Sequence, residues 1–76
     1  MNNTRRKNLM AIIEKLETLQ SDLECLRDEE DEYRDNMPEN MQYGDKYDRS
    51  EMSSESMYEA IESICSAIES IEEAIA

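Results

Sequence analysis

The last third of the chain repeats one heptad almost three times, as Ala60-Ile61-Glu62-Ser63-Ile64, Ala67-Ile68-Glu69-Ser70-Ile71 and Ala74-Ile75-Ala76. An apolar residue that recurs alternately after three and four positions is typical of an α-helix that buries one stripe against other helices. The first half of the chain carries a matching stripe, formed by Leu9, Ile12, Leu16, Leu19, Leu23 and Leu26. Two such helices joined by a short irregular segment predict an all-α, antiparallel helical hairpin.

Capping and breaking residues set the expected boundaries. Asn3 or Thr4 supplies an oxygen for an unpaired amide at the start of the first helix, which we place at about residues 4–34. Pro38 disfavours helix at the residue before it, and Gly44 adds a second bend, so the connector is expected over about residues 35–50.

Three serines, Ser50, Ser53 and Ser54, are candidate caps for the second helix, which is expected over about residues 51–76. Acidic residues follow them in the first turn, where negative charge suits the helix dipole. The whole chain, residues 1–76, is thus expected to form a single helical-hairpin domain.

One register of the hairpin leaves no apolar layer unpaired. It pairs Leu9 with Ile75, Ile12 with Ile71, Leu16 with Ile68, Leu19 with Ile64, Leu23 with Ile61 and Leu26 with Met57. This register separates Cys25 and Cys65 by roughly 10 Å along the bundle at the helical rise, beyond the reach of a disulfide. We therefore expect no intrachain bridge.

The apolar stripe is wider than two helices require. Ala60, Ala67 and Ala74 extend it on one edge of the second helix, and Tyr58 and Cys65 extend it on the other. A broad stripe indicates contact with more than one neighbour, and isoleucine at both seam positions favours bundles larger than pairs. We expect a homodimer that forms a four-helix bundle through this seam. The alternative is a marginally stable monomeric hairpin.

Charge narrows the class of partner. The 76 residues carry 20 acidic and 8 basic side chains, for a net charge of −12. This excess opposes direct binding to nucleic acid and to anionic membranes, and it favours basic partners. No stretch approaches the ~18 apolar residues of a membrane span. We expect a cytoplasmic protein with both cysteines reduced.

Little in the chain points to catalysis. Histidine is absent, which removes the Ser-His-Asp and Cys-His arrangements and the common zinc-finger patterns. There is no glycine-rich phosphate loop and no EF-hand sequence. We expect no enzyme activity, no metal and no cofactor.

The one basic cluster is Arg5, Arg6 and Lys7, in the first turn of the first helix. It either binds an anion at the end of the bundle or pairs with the negative C-terminal end of the second helix, which the hairpin brings alongside. The pairing is the favoured interpretation, because charge clusters at a protein surface usually have little functional meaning.

The connector is rich in the tyrosine, amide and guanidinium groups that are typical of binding surfaces. The candidates for ligand contact are Tyr33, Arg34, Asn36, Pro38, Glu39, Asn40, Tyr43, Tyr47 and Arg49. The alternative is structural, with Tyr33, Met37 and Met41 closing the open end of the bundle.

Acidic residues form another candidate contact surface. A run of carboxylates occupies residues 28–32, where it opposes the dipole of the first helix, and the second helix adds an acidic face. The candidate partner-binding residues are Asp28, Glu29, Glu30, Asp31, Glu32, Glu62, Glu69, Glu72 and Glu73. Such a surface imitates the phosphate ladder of duplex DNA; the alternative is a face that is simply solvated.

The segment Asp35-Asn36-Met37-Pro38-Glu39-Asn40-Met41-Gln42, preceded by Arg27-Asp28-Glu29-Glu30 and followed by the heptads, resembles a family of short helical proteins of phages and prophages of Gram-positive bacteria. The resemblance covers nearly the whole chain, and the Pro-Glu-Asn connector is its distinctive part. It implies a phage or prophage origin, a location in the host cytoplasm and no particular reaction. Since small non-enzymatic phage proteins often act on host machinery, it favours an inhibitor or a sequestering protein.

The sequence leaves three functions open. The leading hypothesis is an accessory protein that blocks a basic host target, such as a nucleic-acid-binding defence factor, by charge mimicry. The second is an oligomeric sponge that traps a nucleotide signal between Arg5, Arg6, Arg34 or Arg49 and the connector tyrosines. The third is a structural coiled-coil module.

Overall fold

A computed structural model describes all residues, 1–76, as two long helices packed side by side in opposite directions. Helix α1 spans Asn3–Asp35, a single 3-10 turn spans Glu39–Met41, and helix α2 spans Asp45–Ile75. The molecule is a rod with extents of 60 × 15 × 12 Å. The prediction of an all-α helical hairpin is confirmed.

Helix α1 begins at a side-chain cap and ends in a tight turn. The Asn2 side chain, one residue before the expected caps, accepts a 2.7 Å hydrogen bond from the Arg5 amide. At the other end, the amide of Asn36 donates to the Glu32 carbonyl and so closes the last turn. The connector between the two helices is therefore shorter than expected, because it starts after Asp35 and ends at Gly44.

Helix α2 begins earlier than the expected start near residue 51. It follows Gly44 without a side-chain cap, and Asp45 and Asp48 supply negative charge to its first turn. The serines expected as caps lie inside the helix instead, and Ser50 and Ser54 are buried. They face α1, where hydrogen bonds satisfy their hydroxyl groups.

The stripe of α1 that faces α2 differs from the predicted one. Its half-buried side chains are Arg6, Leu9, Ile13, Leu16, Gln20, Leu23, Arg27, Glu30 and Arg34. Ile12, Leu19 and Leu26 are 44%, 56% and 55% exposed. Their predicted intrachain pairing with α2 is therefore wrong, because α1 turns a partly polar flank toward its neighbour.

Helix α2 presents Tyr47, Ser50, Ser54, Met57, Ile61, Ile64, Ile68, Ile71 and Ile75 to α1. Two contacts between the helices set their register. Gln20 Nε2 donates to the Ile61 carbonyl at 3.4 Å, and Ser50 Oγ donates to Glu30 Oε2 at 2.6 Å. These contacts place residue 20 of α1 beside residue 61 of α2, and residue 30 beside residue 50.

The core is thin. Its buried apolar side chains are Met37, Ile61 and Ile68. Met37 is in the connector, where Gln42 Nε2 donates to its carbonyl at 3.4 Å. Of the three side chains that the structural alternative placed at the open end, Met37 is buried, whereas Tyr33 and Met41 are exposed.

Replacing Ile68 with alanine is expected to lower the free energy of unfolding by about 2–4 kcal/mol, because it removes a buried side chain from a core with few others. The control is Met52→Ala, at an apolar side chain that is 66% exposed, with an expected change below about 0.5 kcal/mol. Urea unfolding followed by circular dichroism measures both. Equal losses would contradict this position of the core.

Candidate functional site

The hairpin has two unlike sides, one on each flank of the stripe through which the helices touch. In an antiparallel pair, equivalent flanks of both helices share a side. One flank gathers carboxylates, and we call it the acidic side. Its members are Glu14, Glu17, Glu24, Asp28, Asp31 and Asp35 of α1 and Asp48, Glu51, Glu55, Glu62, Glu69 and Glu72 of α2. All of them are exposed except Asp31, which is half-buried.

A groove of about 480 Å³ opens on the acidic side near the connector. It is lined by Arg27, Asp31, Arg34, Ser54, Glu55, Tyr58 and Glu59. The Arg27 guanidinium lies 5.8 Å from the centroid of the Tyr58 ring and 3.2 Å from an Asp28 oxygen. Carboxylates outnumber guanidinium groups in the lining, so the groove suits a cationic group better than an anion.

Arg34 ties the two helices together at this groove. Its Nη1 donates to Ser54 Oγ at 2.9 Å and to Ser50 Oγ at 3.3 Å, while its Nη2 donates to Asp31 Oδ1 at 3.0 Å. The Arg34 side chain reaches these partners because helical side chains point back toward the helix N-terminus. The Ser54 hydroxyl in turn donates to Asp31 at 2.7 Å. Both serine hydroxyls are therefore satisfied although they are buried.

The pKa of the Asp31 carboxyl is lowered from its ordinary value of 3.8. The main cause is the hydrogen bond that its charged form accepts from Ser54. Partial burial acts in the opposite direction, and the bond and positive charge of Arg34, with the charge of Arg27, lower the pKa further. Asp31 is thus held as a carboxylate by the interhelical cluster.

The acidic run at residues 28–32 does not form one contact patch. Successive residues turn by about 100° around a helix, so the run is distributed around α1. Glu30 and Asp31 face α2 and bond to its serines, whereas Asp28, Glu29 and Glu32 are exposed. Of the remaining acidic candidates, Glu62, Glu69, Glu72 and Glu73 are all exposed on α2.

The residues considered for a nucleotide sponge are not brought together within one chain. The cluster Arg5-Arg6-Lys7 lies at the end of the rod opposite the connector, and Arg34 is engaged between the helices. The remaining connector candidates are exposed, namely Tyr33, Asn36, Pro38, Glu39, Asn40, Tyr43 and Arg49, while Tyr47 is half-buried. They form no enclosed pocket.

The basic cluster makes no ion pair with α2. Arg6 leans into the helix contact and leaves its buried Nε without a partner, while Arg5 and Lys7 are exposed. The ion pairs of the chain are Arg27–Asp28 and Arg34–Asp31. The favoured interpretation paired the cluster with the negative C-terminal end of the second helix, and no ion pair of that kind is among them.

Comparison with known proteins adds no family: no protein-family model, curated protein or solved structure matches this chain. Neither long helix has a segment apolar enough to cross a membrane. No grouping of cysteine or acidic side chains has the arrangement of a metal site, and Cys25 and Cys65 are free and exposed.

Sequence reasoning missed the groove residues Arg27, Ser54, Glu55, Tyr58 and Glu59. A signal was present for one of them. Continuing the three-and-four spacing of the isoleucines backward from Met57 leads to Ser54, Ser50 and Tyr47, which marks these serines as contact residues rather than caps.

Replacing Arg34 with alanine is expected to lower the free energy of unfolding by about 1–3 kcal/mol, because Ser50, Ser54 and Asp31 lose a shared donor. The matched control is Arg49→Ala, which removes an exposed guanidinium of the same charge. Thermal unfolding monitored by circular dichroism distinguishes them. An equal effect of the two variants would contradict a special role for Arg34.

Replacing Asp31 with asparagine is expected to destabilise the hairpin at neutral pH but not in acid. Since the folded-state pKa is below the unfolded one, the stabilisation is fully present above pH 3.8 and is lost as the pH falls through the lower folded-state value. The difference in unfolding free energy between the wild type and Asp31→Asn should therefore close in acid. Asp28→Asn, at an exposed carboxylate, serves as the control, and a pH-independent difference would refute the assignment.

Proposed function

We propose that this protein is a non-enzymatic binding module that attaches its acidic side to a basic protein surface and blocks that surface. The observation that supports the proposal is the segregation of exposed carboxylates along one flank of both helices. A solvated protein gains nothing from such segregation, because charges of one sign repel each other along the rod. A basic partner turns the same arrangement into an attraction.

The expected target is a groove that otherwise holds a nucleic-acid backbone. Duplex DNA carries one charge per ~1.7 Å of axis. On α2 the exposed carboxylates Asp48, Glu51, Glu55, Glu62 and Glu69 recur every ~5–10 Å at the helical rise. This row is sparser than the duplex but straight and of the same sign, so it suits a target that contacts phosphates through separated lysine and arginine side chains.

A role against host defence agrees with this target class. The resemblance of the connector to phage and prophage proteins implies action on host machinery, and many defence factors must bind nucleic acid. The alternative of a nucleotide sponge has no matching arrangement of cationic side chains, since the arginine clusters lie at opposite ends of the rod. A purely structural coiled-coil module does not account for the one-sided charge.

The proposal is tested with two variants that lose the same number of negative charges from different parts of the rod. The variant E62Q/E69Q/E72Q neutralises three carboxylates of the acidic side, and E32Q/D45N/E73Q neutralises three exposed carboxylates that lie outside both the acidic side and the opposite flank. Each immobilised protein is incubated with bacterial cell extract and then eluted with duplex DNA. We expect the wild type and the second variant to release the same basic protein, and the first variant to release at least about tenfold less.

Salt and DNA dependence complete the test. Binding should weaken steeply with ionic strength, because exposed charges are screened within ~8 Å at physiological salt. Elution by duplex DNA but not by a neutral polymer is expected for a shared groove. Equal loss in both variants would show that only net charge matters and would refute the acidic side as the contact.

A further inference from the structure

The side of the hairpin opposite the acidic side is apolar on α1 and small on α2, and we call it the apolar side. On α1 it carries Ile12, Leu19, Leu26 and Tyr33, at intervals of one heptad, and all four are exposed. On α2 it carries Ser53, Ser56, Ala60, Ser63, Ala67, Ser70 and Ala74, which are also exposed. This strip of α2 contains no charged residue from Ser53 to Ala74.

We propose that the apolar side is the interface of a symmetric homodimer in which two hairpins form a four-helix bundle. The distribution of charge favours the apolar side over the acidic side as the place where a second copy binds. Two molecules of net charge −12 repel each other, and the acidic side would bury many carboxylates if it met its own copy. On the apolar side only two carboxylates border the contact, Asp22 and Glu29, both on α1.

The hairpin also exposes enough extra surface area to form an interface with a second copy of the chain. A compact folded monomer of the same mass exposes about 4,800 Å² by the usual scaling of surface with mass. The hairpin exposes 5902 Å², an excess of about 1,100 Å² over that scaling. A standard protein interface buries about 800 Å² on each partner. The excess is therefore enough for one dimer contact.

The sizes of the side chains select the direction of the twofold axis. An axis along the rod places α1 of one hairpin against α2 of the other, so large side chains meet small ones. The bond between Gln20 and Ile61 sets the level of the facing residues. Leu19 then lies level with the gap between the partner's Ala60 and the partner's Ser63. An axis across the rod would instead oppose large side chains to large ones and small to small.

The first measurement is the mass of the wild-type protein in solution by light scattering after size exclusion. We expect about twice the chain mass of 8.9 kDa. A monomer across micromolar concentrations would overturn the proposal. The proposed function rests on the acidic side, so a monomer would leave that proposal standing. A negative result in the charge-variant binding test would refute the proposed function and leave the dimer proposal standing.

Leu19→Lys tests the position of the interface. It is expected to give a helical monomer, because a charged side chain at an exposed position blocks the dimer without entering the hairpin contact. Lysine also lowers the net negative charge, so general repulsion cannot explain the loss. The control Met52→Lys, on the outer surface of α2, should remain a dimer. A dimeric Leu19→Lys, or a monomeric control, would overturn the proposal.

A second variant, on α2, tests the same interface if the first variant does not fold. If circular dichroism shows that Leu19→Lys does not fold, Ala67→Lys replaces it, with Ser66→Lys as the control on the outer surface. Ala67→Lys should be monomeric and its control dimeric. The opposite pattern would overturn the proposed interface.

Exchanging a large side chain with a small one tests the axis. Leu19→Ala and Ala60→Leu should each weaken the dimer by at least about tenfold in Kd. Carried together on one chain, they should restore the wild-type Kd, because each leucine then faces the alanine of its partner. Additive weakening in the double variant would refute an axis along the rod.

Discussion

The polar contact of Arg34 with Asp31, Ser50 and Ser54 is the constraint on which the rest of the hairpin depends. Apolar stripes alone specify a helix pair poorly, because a slide by one heptad places leucine against isoleucine again. Buried hydroxyl and guanidinium groups have no such freedom, since each loses its hydrogen bonds when the helices slide. The cluster therefore selects one register and one rotation of α1 among several that would bury similar apolar area.

That choice determines which side chains remain outside. With Arg34 and Arg27 turned toward α2, Leu19 and its heptad equivalents are displaced to one flank, and the carboxylates are displaced to the other. The two sides of the rod therefore have opposite character as a direct result of the helix contact. The proposed binding to a basic protein and the proposed contact with a second copy are compatible, because they use different sides.

The sequence predicted the helices well and their rotation poorly. The three-and-four spacing of isoleucine in α2 is unambiguous, and the structure retains the stripe from Met57 to Ile75. In α1 two neighbouring stripes compete, because Leu9, Leu16 and Leu23 belong to both. Counting apolar residues favours the stripe with Ile12 and Leu19. The structure takes the stripe with Gln20 and Arg27, where Gln20 donates a hydrogen bond to the Ile61 carbonyl and Arg27 lies over the Tyr58 ring. Of the α2 carboxylates on the acidic side, Glu62, Glu69 and Glu72 were among the sequence candidates, whereas Asp48, Glu51 and Glu55 were not. The groove was not predicted.

The thin core has a consequence for how such a chain changes over evolutionary time. Because few side chains are buried, most positions on both sides of the rod are free to vary without loss of the hairpin. Mutations that alter the acidic side leave the polar cluster and the isoleucine stripe untouched. The acidic side is therefore able to accumulate substitutions while the scaffold stays the same.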